Sequence, residues 1–182
     1  MKVLICWSRI SGYMTSCWKR LADDPTINLR VLAWETFTGE DQSAFDGTIT
    51  AGLNCRLLST AERGNTKLIE EEIREFAPDV IVVPGWISPA YTAAILNLRA
   101  NRPAIVMGMD TPWLGNLRQH LTKWRYNSLF RRIDRVVVAG ERTWQYAKRL
   151  GFSESQISRG VYAWDETSFG TVPRRFDETA PK

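Results

Sequence analysis

The segment Asp79-Val80-Ile81-Val82-Val83-Pro84 carries four consecutive β-branched apolar residues, so neither face of it is suited to water. A strand with one solvated face would alternate polar and apolar residues. An unbroken run suits a strand covered on both sides, as in a parallel sheet. Immediately before it, from Asn65 to Phe76, Leu68, Ile69, Ile73 and Phe76 recur at helical spacing among Glu70, Glu71, Glu72, Arg74 and Glu75. That spacing predicts an amphipathic helix, which Pro78 ends. A helix delivering the chain into a doubly covered strand is the repeating step of parallel α/β folds.

The same alternation runs through the chain. Lys2–Cys6 and Leu29–Trp34 read as strands; the first leads through Ser8, Arg9, Ser11 and Gly12 into a helix ending near Ala22. Thr36 to Gly52 reads as loop and Leu53–Leu58 as a weaker strand. Ser88 is placed to cap a helix that begins at Pro89 and runs to Arg99. Pro103–Gly108 and Asp134–Ala139 are further buried strands. Trp113 to Arg132 reads as one basic helix, Glu141–Leu150 as a helix closed by Gly151, and Ile157–Tyr162 as a last strand. Together these predict an α/β domain: a Rossmann-like, open, mostly parallel sheet with helices on both faces. Residues 1–170 are expected to form it, with 171–182 as a polar tail or the start of a linker.

Several functional classes are disfavoured. No apolar run approaches the roughly 18 residues of a membrane span, and the start at Met1 reads as a strand without a signal-peptide pattern, so a cytoplasmic location is expected. Cys6, Cys17 and Cys55 show no CxxC spacing, and His120 is the sole histidine, so free thiols and no metal site are expected. Neither GxGxxG nor GxxxxGK[ST] occurs, which speaks against a dinucleotide-dependent dehydrogenase or a P-loop kinase. Charge is uneven. Residues 1–98 hold 9 basic and 12 acidic groups and residues 99–182 hold 15 and 8, so an anionic partner should meet the second half. Without a recognisable module this excess is a weak sign of nucleic-acid binding, and none is expected.

Ligands of open parallel sheets bind beyond the carboxyl ends of the strands. Trp7, Trp34, Trp86 and Trp113, four of eight tryptophans, follow four of the strands there. They serve either as core caps or as flat walls for a sugar or a base. Ser11 and Gly12 open a helix whose positive end suits a phosphate, with Tyr13 beside them. Glu35, Asp110 and Glu141 bring carboxylates to the same edge. Asp110, between an apolar strand and the Pro112-Trp113 turn, is either a partly desolvated general base for a hydroxyl nucleophile or a helix cap. The helix through residues 117–132 aligns Leu117, Leu121, Trp124 and Ser128 among Arg118, Lys123 and Arg125. That stripe suits either packing on the sheet or peripheral attachment to an anionic membrane.

The ordered set resembles the amino-terminal domain of family 4 glycosyltransferases of the GT-B fold. The likeness rests on the Met1–Ile5 strand with its glycine loop, the Ala77–Val83 run, and Val136–Gly140 leading into a helix ending Leu150-Gly151. It also rests on Gly160-Val161 with Asp165-Glu166-Thr167-Ser168-Phe169, near the Gly-Val-Asp-x-x-x-Phe signature of that family. The resemblance implies retaining transfer of a hexose from a nucleotide-sugar donor to a hydroxyl acceptor, glycan or lipid-linked, without cofactor or metal. It implies that this chain binds the acceptor and that a second, carboxy-terminal domain holds the donor, so the chain is expected to be the front half of a longer enzyme, inactive alone. By position Asp110 falls beside the acceptor hydroxyl, and Ser11-Gly12 faces the donor phosphates. Trp7, Tyr13, Trp86, Trp113 and Glu141 complete the expected substrate contacts. The alternative from the residues themselves is a non-catalytic α/β ligand-binding or regulatory domain.

Overall fold

A computed structural model describes residues 1–35, 47–99 and 101–160. Among these residues seven strands form one sheet: β1 (Lys2–Trp7), β2 (Asn28–Trp34), β3 (Cys55–Leu58), β4 (Val80–Val83), β5 (Ala104–Met109), β6 (Arg135–Val138) and β7 (Ile157–Arg159). Between them lie α1 (Gly12–Ala22), α2 (Thr66–Phe76), α3 (Pro89–Asn97), α4 (Leu117–Arg125), the single turn α5 (Asn127–Phe130) and α6 (Glu141–Leu150). The strand order is β3-β2-β1-β4-β5-β6-β7, with every pairing parallel. The expected Rossmann-like open sheet is therefore the fold.

The order has a seam. The chain adds β2 and β3 to one side of β1, then returns to lay β4 on its other side, with Val3 opposite Val80 and Ile5 opposite Val82. Growth then continues outward through β7. Each strand is read in two directions: Val3, Ile5, Val31 and Ala33 face α1, packing on its Met14 and Trp18. Leu4, Leu32, Ile81, Ile105, Met107 and Val136 face the other way, into a core with Ile69 and Ile73 of α2, Tyr91 of α3, Leu129 of α5 and Tyr146 of α6. Helices thus cover both faces. Cys6 is buried in the second core, and burial, with the charge of Glu72 adding to it, pushes its thiol far above the ordinary range. The three cysteines are free thiols.

Local signals explain most boundaries. Asn65 caps α2 by accepting from the Leu68 N–H at 3.2 Å, and Ser88 caps α3 by accepting from Tyr91 at 3.3 Å, with Pro89 at the first helical position. Gly151 closes α6 with φ 110°. Two expectations need correction. Helix α3 stops at Asn97, because Leu98 turns to extended backbone. The expected single helix from Trp113 to Arg132 is α4 and α5, separated at Tyr126, and it starts late because its approach is tied down. The Gln119 side chain accepts from the Leu114 and Gly115 N–H groups at 2.7 and 3.1 Å and donates to the Pro112 carbonyl at 2.8 Å. Asn116 then caps the helix by accepting from the Gln119 N–H. The glycine-valine-aspartate signature from Val161 onward, the tail 171–182 and much of the Thr36–Gly52 loop lie outside the described residues.

Candidate functional site

A cleft of about 800 Å³ opens beyond the carboxyl ends of β1, β4 and β5, at the seam where strand order reverses. Its floor is set by register. Ile5 pairs with Val82 and Val82 with Val106, so Trp7, Pro84 and Gly108 lie in one row two residues further on. All three line the cleft. Trp7 is nearly buried, edge-on to Trp18 at 6.3 Å, and its ring reaches across to Gly108.

One side of the cleft is the β1–α1 loop, Ser8 to Ser11, with Tyr13 exposed at the rim. Ser11 stands at the N-cap of α1 in extended conformation, yet its hydroxyl makes no capping bond and is buried without a hydrogen-bond partner among the described residues. The first turn of α1 holds no acidic residue, and Tyr13 and Met14 of that turn line the cleft, so the positive end of the helix dipole lies at its edge. Arg9 lines the same side, and Arg118 enters from the first turn of α4. Two cations, one helix N-terminus and an unsatisfied hydroxyl make an anion-binding arrangement.

The other side combines an aromatic cluster with the β5–α4 loop. Gly85, at φ +70°, turns the chain after β4 and presents Trp86, half-buried, with ring centroids 5.7 Å from Tyr126, 5.5 Å from Phe130 and 6.0 Å from Tyr146. Asp110 and Thr111 follow β5, and Asp110 is the one carboxylate lining the cleft among the described residues. It is exposed, so the partial desolvation expected for it is not found. Nor does it cap a helix, since Asn116 caps α4; its backbone carbonyl accepts from the Thr143 hydroxyl at 3.3 Å.

The structure therefore gathers Trp7, Ser11, Tyr13, Trp86 and Asp110 around one cleft and leaves three expected contacts aside. Gly12 begins α1 behind the lining, and its carbonyl accepts from the Thr15 hydroxyl at 2.9 Å. Trp113 packs between helices, 5.3 Å from the Tyr146 ring and 4.9 Å from His120, with the Arg149 guanidinium 4.7 Å over its face. Glu141 is turned toward β7, where Arg159 donates to it at 2.8 Å. Trp34, the last residue of β2, stacks on Tyr91 with ring centroids 6.5 Å apart and is not among the lining residues. Arg9 and Arg118, which the sequence places in a polar loop and beside an amphipathic stripe, are the two cations of the lining and were not among the expected ligand contacts. Arg9 sits in the polar loop after β1, and Arg118 in the first turn of a helix, where a cation is out of place unless an anion offsets it.

No family model matches the chain, and no curated protein matches it in sequence. Solved structures do match in fold. UDP-GlcNAc 2-epimerase from Neisseria meningitidis, bound to UDP-GlcNAc, superposes with TM-score 0.62 at 12% identity, over 87% of this chain and 45% of that one. A putative UDP-N-acetylglucosamine 2-epimerase from Listeria monocytogenes gives 0.61 at 13%, over 86% and 44%. At these identities the likeness concerns the fold alone. This chain spans less than half the length of either.

Proposed function

We propose that this chain is the acceptor-side lobe of an enzyme that uses a nucleotide-activated sugar, transferring a hexose with retention to a hydroxyl of a glycan or lipid-linked acceptor. The observation that carries the reading is the convergence, at the seam, of Arg9, Arg118 and the bare N-terminus of α1 with the aromatic wall of Trp86 and the lone carboxylate of Asp110. A phosphorylated sugar presents these complements: anionic oxygens for the cations and N–H groups, and an apolar ring face for the indole. Asp110, open to the cleft, takes the proton of the acceptor hydroxyl as that hydroxyl oxygen bonds to the anomeric carbon on the face from which the nucleoside diphosphate departs. The carbon–oxygen bond to the diphosphate breaks, configuration is kept, and the released negative charge falls to Arg9, Arg118 and the start of α1. The epimerase fold supports the donor class, since the Neisseria structure holds UDP-GlcNAc.

The test is calorimetric titration of the full-length protein with UDP, UDP-glucose, UDP-GlcNAc and GDP-mannose, followed by mass analysis of products formed with hydroxyl acceptors. Binding of a sugar nucleotide and a glycosylated product is the expected result. Sugar-nucleotide binding with an epimerised sugar and no transfer would replace transferase by epimerase. Absence of binding to all four would reject the site.

A further inference from the structure

Helix α4 is amphipathic in the inverted sense. Its buried positions are polar, Gln119 and Thr122, while Leu117, Leu121 and Trp124 are 74%, 55% and 82% exposed. These three stand at i, i+4 and i+7, one ridge along the helix. The buried Gln119 and Thr122 occupy the opposite side. An ordinary surface helix turns such a ridge to the core; this one turns it to the solvent. Of the two roles open to the stripe in the sequence, packing on the sheet is therefore excluded for these residues.

The surroundings decide what could cover the ridge. From Thr111 to Ile133 the chain holds five Lys or Arg and no Asp or Glu. Arg118, Lys123, Arg125 and Arg131 are exposed along it. A protein partner of mixed charge gains nothing from a one-signed flank, whereas an anionic lipid surface complements both parts. The cations meet phosphate headgroups while leucine and an interfacial tryptophan enter the acyl boundary. No helix among the described residues is long and apolar enough to cross a membrane, so the contact is lateral.

We propose that α4 docks the protein on an anionic bilayer, with Leu117, Leu121 and Trp124 inserted and Lys123 and Arg125 at the headgroups. Asn116, Arg118 and Gln119, from the start of the same helix, line the cleft, so docking holds the cleft mouth at the lipid surface. The reading does not depend on what the cleft binds, because vesicle binding is measured without any sugar nucleotide.

The experiment is flotation of the full-length protein with phosphatidylcholine vesicles, with and without phosphatidylglycerol, at low and high salt. The expected result is binding that requires phosphatidylglycerol and is weakened by salt. It should fall about tenfold or more in Leu117→Ser/Leu121→Ser/Trp124→Ser and about fivefold for each of Lys123→Ala and Arg125→Ala. Tryptophan fluorescence quenched by brominated lipid, and spared in Trp124→Phe, places the ridge itself in the bilayer. Among the described residues Leu117, Leu121 and Trp124 belong to neither core cluster, so the triple variant should keep the melting temperature of the parent. Arg125 donates to the Tyr126 hydroxyl at 3.3 Å, so its variant is compared only after its melting temperature has been matched to that of Lys123→Ala. No flotation of the parent at low salt overturns the proposal. So does undiminished binding of the triple variant, or a ridge-dependent dimer in light scattering with no vesicle binding.

Discussion

The ring of Trp7 lies across Gly108 so closely that a Cβ added there would stand 2.8 Å from its Cη2 atom and 3.1 Å from Cζ3. The two residues belong to β1 and β5, with β4 between them, and the contact paves the cleft floor. An indole held on its far side by Trp18 has little room to retreat.

Gly108→Ala is therefore expected to drive the Trp7 ring out of place and into the cleft. The cost should be about 1–3 kcal/mol of stability, the usual range for overpacking a dense interior. Chemical denaturation measures that loss, and calorimetry should show weakened binding of the sugar nucleotide. A variant with parental stability and affinity would mean that the floor gives way easily.

Asp110→Asn should reduce turnover about 10²–10⁴-fold, the usual contribution of a positioned general base, while leaving the sugar-nucleotide affinity unchanged. The amide keeps the size of the side chain and loses its ability to take a proton. Single-turnover kinetics beside titration separates the two effects, and parental turnover would remove Asp110 from the chemistry.

Ala77, between α2 and Pro78, sits at φ 47°, the left-handed region that suits glycine. Holding a side chain there costs about 1–2 kcal/mol, and glycine returns part of the gain through a freer unfolded chain. Ala77→Gly is expected to stabilise by about 0.5 kcal/mol in urea titration. Destabilisation would show that the Ala77 methyl group contributes packing.

The Glu62 carboxyl is pushed down to about 2 by the Ser59 backbone N–H, the Arg56 guanidinium and the Ser59 hydroxyl. Its folded value lies below its unfolded one. The stabilisation is therefore complete above the ordinary value of 4.5 and is lost as pH falls from there toward 2. Carbon-detected NMR titration should find this glutamate among the last to protonate, and Arg56→Ala should move its midpoint upward. An ordinary midpoint in the parent would refute the pairing.

Much of the fold was legible because its signals are local and redundant. Val80–Val83, Val136–Val138 and the strand at Ile105 are apolar on both faces, and Asn65, Ser88 and Gly151 mark helix ends by their own side chains or lack of one. The cleft was legible in part, since loops after parallel strands meet wherever strand order reverses, and Trp7, Ser11, Tyr13, Trp86 and Asp110 lie on them. What escaped was direction. Periodicity places Leu117, Leu121 and Trp124 on one stripe but cannot say whether that stripe points in or out. Trp113 follows its strand as Trp86 does, yet a loop braced by Gln119 delivers it between α4 and α6 instead of into the cleft. Such outcomes depend on partners far along the chain.

The seam between β1 and β4 joins segments 77 residues apart in sequence, as the pairing of Val3 with Val80 shows. From that line the sheet extends to β3 on one side and to β7 on the other, and the cleft draws nothing from either outermost strand. The margins can thus be lengthened, trimmed or re-sequenced with little effect on the ligand pocket, whereas a slip of one position at the seam would turn Trp7 to the opposite face and dismantle its floor. An engineer wishing to graft a new specificity onto this scaffold has free ground at its borders and a fixed centre.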